Sequence, residues 1–78
     1  MEVDHAELLT LLERELDLDP GDLTETTTMA ETEMWDSLAH LRLCMALEGE
    51  YAVTIPMELV GELTSVSAII SFLADAHE

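Results

Sequence analysis

Between Ser37 and Tyr51 the apolar side chains recur at the period of an α-helix, and no other stretch constrains the fold as much. With Ser37 at zero on a wheel of about 100° per residue, Leu43, Leu47, His40, Tyr51 and Cys44 cluster between roughly 240° and 340°. Leu41, Met45 and Leu38 form a second apolar stripe at roughly 40°, 80° and 100°. A helix in a small bundle buries one face. The first stripe is therefore assigned to the core, and the second either packs under a neighbouring segment or stays outside as a docking strip flanked by Ala39, Arg42 and Glu48. Asp36, immediately upstream, supplies a carboxylate for the unpaired amides of the first turn.

The rest of the chain reads as further helices around this one. From Val3 to about Leu16, Leu8, Leu9, Leu11, Leu12 and Leu16 hold helical spacing, while Glu2, Asp4, Glu7, Glu13, Arg14 and Glu15 form a solvated side. Asp19-Pro20-Gly21 stops that helix. Residues 22–35 are rich in Thr and Glu without a sustained period, and are expected to form a long surface loop anchored by Leu23, Met29 and Trp35. After Tyr51, the segment 52–55 is short and extended. Pro56 opens a brief third helix, Met57 to Leu63, weakened by Gly61. Thr64 or Ser65 caps a last helix in which Val66, Ile69, Ile70 and Leu73 repeat at the helical period. The expected fold is an all-α four-helix bundle, three longer helices and one short third helix, with a long loop between the first two.

Composition sharpens this. Seventy-eight residues make one domain, with no room for two separate cores. The hydrophobic fraction is 49% but aromatics are only 4%, which favours aliphatic helix packing over a β-sandwich. Two Lys+Arg against 18 Asp+Glu give 2 − 18 = −16. Phosphate backbones and anionic membranes both repel such a chain, so neither nucleic acid nor membrane is an expected partner. Its acidity serves solubility, or steering onto basic patches of partner proteins. Neither a secretion signal nor an apolar run of membrane-spanning length is evident, and the expected location is cytoplasmic. The start at Met1 suggests a free-standing protein, although a domain cut from a longer chain reads the same; a monomer is expected.

Several residues invite chemistry and are set aside. Ser37 lacks the Gly-x-Ser-x-Gly elbow, and His40, the nearest base, sits three residues along the same helix with nothing to orient it, so a serine hydrolase is not expected. His40 is assigned instead to the boundary between loop and core. Asp17, Asp19 and Asp22 fail the EF-hand pattern, because the required Gly and the terminal bidentate Glu are missing. One Cys with His5, His40 and His77 makes no zinc site, and Cys44, on the core side, is expected to be a buried structural thiol.

Trp35-Asp36-Ser37-Leu38 contains the Asp-Ser-Leu motif of phosphopantetheine-binding carrier proteins, and LRLCMALEGEYAVTIP resembles their second helix and the loop leading into the third. The resemblance extends over nearly the whole chain, from the leucine-rich first helix to the amphipathic last one. It implies an acyl carrier protein, not an enzyme, whose 4′-phosphopantetheine is moved from coenzyme A onto Ser37 by a phosphopantetheinyl transferase and then bears acyl groups as thioesters. It also implies that Asp36 and Leu38 flank the attachment site. Leu38, Leu41, Arg42, Met45 and Glu48 would meet acyl-loading, ketosynthase or condensing enzymes and other synthase partners through their basic docking patches.

The chain departs from carriers of bacterial fatty acid synthesis, which resemble it but are acidic at the positions of Ala39 and Arg42. With Trp35 and His40, this points to specialised metabolism, polyketide or mixed peptide-polyketide synthesis. An aminoacyl or peptidyl carrier of a nonribosomal pathway is an alternative, as is a cofactor-free interaction module, which leaves the in-register motif unexplained. For the five methionines a deformable interior is one alternative to simple packing, with Val60, Leu63 and Ile69 near any pocket for cargo.

Overall fold

The computed structural model describes residues 3–76; Met1, Glu2, His77 and Glu78 lie outside the described residues. Four helices appear in the expected order: α1 (His5–Glu15), α2 (Ser37–Tyr51), α3 (Met57–Val60) and α4 (Val66–Asp75). Leu8, Leu11 and Leu12 of α1, Leu43 and Leu47 of α2, and Val66, Ile69 and Leu73 of α4 meet in one apolar core. Leu16, Leu23, Trp35, Ile55 and Leu63 close it from the connecting segments. Aliphatic side chains do nearly all the filling.

Helix α1 starts later and ends earlier than its apolar pattern suggests. Asp4 is the cap, its Oδ1 accepting from the amides of Ala6 and Glu7 at 3.0 and 3.2 Å. At the other end the stop comes before Pro20. Asp17 adopts a left-handed conformation with φ 57°, and the amides of Leu18 and Asp17 donate back to the carbonyls of Glu13 and Arg14. This pair of reversed bonds satisfies the last turn's carbonyls, with Asp in the role usually given to Gly.

Glu13 is also corrected. It is buried, not on the solvated side, and its Oε2 accepts from the amides of Gly21 and Leu23 at 2.9 and 3.1 Å. Gly21 reaches this bond with φ 94°, a conformation closed to most side chains.

The segment 22–35 is a surface connection, though an ordered one. Its threonines fold it locally: Thr27 Oγ1 accepts from the Thr24 amide, and Thr32 Oγ1 donates to the Thr28 carbonyl. Such side-chain bonds replace a helix or strand ladder, which explains the missing period. A single 3₁₀ turn, Met29–Glu31, follows, with Glu31 Oε1 accepting from the Thr28 amide at 2.7 Å. An isolated antiparallel bridge then ties the loop to the start of α4. In it the Met29 amide donates to the Thr64 carbonyl and the Val66 amide to that of Thr27, at 2.8 and 2.9 Å. Leu23 and Trp35 are buried and Met29 half-buried, as their anchoring role required.

Three further boundaries move. Ala52, expected to be extended, closes α2 in the left-handed region at φ 53°. Pro56 stands just outside α3, and α3 stops at Val60 because Gly61 begins a turn that ends before Leu63. Ser65, not Thr64, caps α4, its Oγ accepting from the Ala68 amide at 3.1 Å.

Candidate functional site

The start of α2 is built by Asp36. With φ −94° and ψ −177° it leaves the extended loop, and its Oδ1 accepts from the Ala39 amide at 2.8 Å while its carbonyl accepts from the His40 amide at 2.8 Å. Both acceptors are thus committed to starting the helix. Ser37, the first helical residue, is exposed, and its hydroxyl has no hydrogen-bond partner among the described residues. The first turn of α2 contains no acidic side chain, whereas α1 and α3 carry Glu7 and Glu58 in theirs. An exposed, unengaged hydroxyl at the positive end of a 15-residue helix fits a phosphodiester.

Behind Ser37 the side chains are buried and hydrogen-bonded to one another. Trp35 is 2% exposed, and its indole Nε1 donates to His40 Nδ1 at 2.9 Å. An imidazole nitrogen that accepts here carries no hydrogen, so the ring's hydrogen is on Nε2, which donates to the Val60 carbonyl at 2.6 Å. His40 therefore sits at the boundary of loop and core, as its place on the wheel indicated, with both nitrogens occupied. Cys44 Sγ lies 3.9 Å from the same Nε2. Burial, reinforced by the nearby Glu48 carboxylate, pushes the Cys44 thiol above its ordinary range, the behaviour of a structural thiol.

The two stripes of α2 separate as the wheel requires. Leu43, Leu47, His40 and Cys44 are buried and Tyr51 is half-buried, whereas Leu38, Leu41 and Met45 are 65%, 45% and 70% exposed. Arg42 projects beside them, exposed and without an ion pair among the described residues.

Two flanking residues differ from expectation. Ala39 is buried in the core. Glu48 is half-buried, and its Oε2 accepts from the Ile55 amide at 2.9 Å, so it braces the approach to α3 as well as bordering the strip.

The described methionines do not make a soft interior. Met34, Met45 and Met57 are exposed and Met29 is half-buried. Met34 and Met57 are exposed on the segments before and after α2, and no periodicity marked them, since both stand at or beyond helix ends. Leu63 and Ile69 are fully packed and Val60 half-buried. Among the described residues no cluster of His, Cys, Asp and Glu could hold a metal ion, and no helix is long and apolar enough to cross a membrane.

Comparison with known proteins agrees with this geometry. Residues 6–73 match the family described as a phosphopantetheine attachment site. A putative mitochondrial acyl carrier protein of Schizosaccharomyces pombe is 38% identical over 60 residues, covering 77% of this chain and 54% of that protein. The chain thus spans about half the length of that relative. The solution structure of a holo acyl carrier protein from Geobacter metallireducens shares the fold, with a TM-score of 0.80 at 24% identity over 92% of this chain and 83% of that one.

Proposed function

The chain belongs to the phosphopantetheine-bearing acyl carrier proteins, and from that premise we propose that Ser37 is the attachment residue and that the Leu38, Leu41 and Met45 strip is where partners dock. Members of this family are carriers that a phosphopantetheinyl transferase modifies; they are not catalysts. When bound, the group supplies a flexible arm ending in a thiol that holds an acyl chain as a thioester.

The protein's own residues supply presentation. Asp36 fixes the first turn and leaves the Ser37 hydroxyl unengaged and exposed, the single observation that carries the assignment. Trp35 and His40 hold that end of α2 still. The exposed strip offers apolar contact within an acidic surface, suited to partners whose docking faces are apolar with a basic rim.

Arg42 supports a narrower reading. It is a lone cation beside the strip, and Ala39 is packed where a carboxylate could not be accommodated without rearrangement. A partner selected by Arg42 would differ from one selected by a uniformly acidic helix, which favours a dedicated carrier of polyketide or mixed peptide-polyketide synthesis. The identity to a protein named as a mitochondrial acyl carrier favours instead a general fatty-acid-type role.

Intact-mass spectrometry after incubation with coenzyme A, magnesium and a broad-specificity phosphopantetheinyl transferase tests the attachment. One added phosphopantetheinyl group is expected on the wild type and none on Ser37→Ala. Addition to the variant would move the site elsewhere. For the pathway, Arg42→Glu should shift transfer towards fatty acid synthase partners; unchanged preference would remove the specialised reading.

A further inference from the structure

Helix α3 is the weakest-held element. It spans four residues, of which Leu59 and Val60 are half-buried against the core and none is fully buried, and Met57 is 78% exposed. So short a helix has little stability of its own. What fixes its backbone to the rest of the molecule is a pair of side chains from α2. Glu48 accepts from the Ile55 amide just before α3, and His40 donates to the Val60 carbonyl at its end. These two side chains stand eight residues apart on α2, about two turns, and α3 is strung between them. The His40 contact does more than hold α3, because the same ring accepts from Trp35 and lies against Cys44. Loop, α2 and α3 meet on one imidazole, one turn from Ser37.

We propose that His40 is a latch that keeps α3 docked on α2, and that release of its Nε2 bond to Val60 lets α3 swing away as a local unit, opening the interior on the Cys44 side. The trigger is structural. Breaking one hydrogen bond frees a carbonyl at the end of a helix retained only by the half-buried Leu59 and Val60 and by Ile55 and Leu63 on either side of it, whereas α1, α2 and α4 each place several fully buried side chains in the core. Regions with few buried contacts open at lower free energy than the core. The latch thereby sets how often the space under α3 is accessible from the end of α2 that bears Ser37. The proposal stands whether or not Ser37 is modified, since the tests use unmodified protein.

Cys44 is the one cysteine of the chain and a direct reporter. Asn and Gln each reproduce one side of the imidazole: the Asn amide occupies the region of Nδ1 and can still accept from Trp35, whereas the Gln amide reaches the region of Nε2 and can still donate to Val60. Labelling of Cys44 by a thiol reagent is expected to be roughly 5- to 100-fold faster in His40→Asn than in wild type, the range for orphaning a buried acceptor. His40→Gln should stay within about threefold of wild type, because the Val60 bond is retained.

The labelling rate should also depend only weakly on urea in the Asn variant, since opening α3 exposes little surface compared with global unfolding followed by circular dichroism. Wild-type labelling rates in His40→Asn, equal acceleration in both variants, or a urea slope matching global unfolding would each overturn the latch and leave His40 an ordinary core residue. Should the Asn variant not fold, amide exchange on the wild type decides. The amides of Val60 and Leu63 should exchange at least about tenfold faster than those of Leu43 and Leu47, through an opening insensitive to urea; equal protection would refute the proposal.

Discussion

Replacing Glu13 tests whether a buried carboxylate, and not apolar packing alone, secures the beginning of the long loop. One oxygen accepts from two amides, Gly21 at 2.9 Å and Leu23 at 3.1 Å. Leu23 is 3% exposed, so in Glu13→Ala water cannot readily reach its amide, and an orphaned buried donor costs about 1–3 kcal/mol. Gly21 is exposed and its amide returns to water, so only the net value of that bond, about 1 kcal/mol, is lost. The sum is about 2–4 kcal/mol. Glu13→Gln keeps an acceptor but loses the charge that strengthens both bonds, for a loss of about 1–2 kcal/mol.

For a domain of this size each kcal/mol moves the melting temperature by about 4–8 °C, so the alanine variant should melt at least about 8 °C lower. Urea unfolding followed by circular dichroism and by the emission of Trp35 gives the free energies, and Glu33→Ala, an exposed loop carboxylate, provides the reference at within about 0.5 kcal/mol of wild type. The reasoning fails if alanine and glutamine are equally tolerated, or if both match the Glu33 control.

Ala52→Gly should stabilise the protein by about 0.5–1 kcal/mol, because Ala52 is exposed and held at φ 53°, where a β-carbon is strained; a lower melting temperature would show that Ala52 makes a contact worth more than the strain. Leu38→Ala and Met45→Ala should each leave stability within about 0.5 kcal/mol of wild type while slowing acyl transfer to a synthase partner several-fold, so a stability loss above that would place these side chains in the fold and not at an interface.

Stability should also fall with alkaline pH. The Cys44 thiol is raised by burial and by Glu48, so stability is full below the unfolded thiol's value of about 8.5 and declines as pH rises beyond it, when the unfolded chain ionises first. Tyr51, raised by burial and then by Glu50, Glu7 and Asp4, adds to the decline from about pH 10. Cys44→Ala should flatten the first part of that slope in denaturation curves taken across pH 8 to 10, and an unchanged slope would remove Cys44 as its source.

How much of this was legible in the sequence depends on how far each signal reaches. The start of α2, its two stripes and the Asp36 cap were all readable, because a cap bonds three residues away and a stripe repeats every turn. Ser37 was singled out by its motif, and the structure sets it as the first residue of α2; its role as attachment residue is a proposal. Glu13 was not found, since a glutamate within a helix resembles any other solvated one and its partners lie eight and ten residues on, beyond a turn.

His40 was assigned to the core boundary but its two partners were not, because Val60 is twenty residues away and its carbonyl leaves no mark in the sequence. Ala39 was misplaced for the opposite reason: so small a side chain is compatible with either surface. The left-handed Ala52 and Asp17 lack the Gly or Asn that usually announces such a turn. The order within 22–35 was hidden because threonine bonds made inside a loop have no period.

The bridge between Thr28 and Ser65 bears on the order in which the molecule assembles. Its two strands of chain are separated by the whole of α2 and α3, so joining them requires a long-range closure, whereas the Asp36 cap and the turns of α2 need only neighbours. Local structure of that kind forms early and distant pairings late, so the start of α2 should be shaped before the loop leading to it is fastened. Substitutions that weaken the bridge should then accelerate unfolding with little effect on the folding rate, and those in the first turn of α2 should do the reverse. During synthesis the fastening waits until Ser65 and Val66 have emerged, so the loop that precedes Ser37 is held in place only after α2 and α3 have both been made.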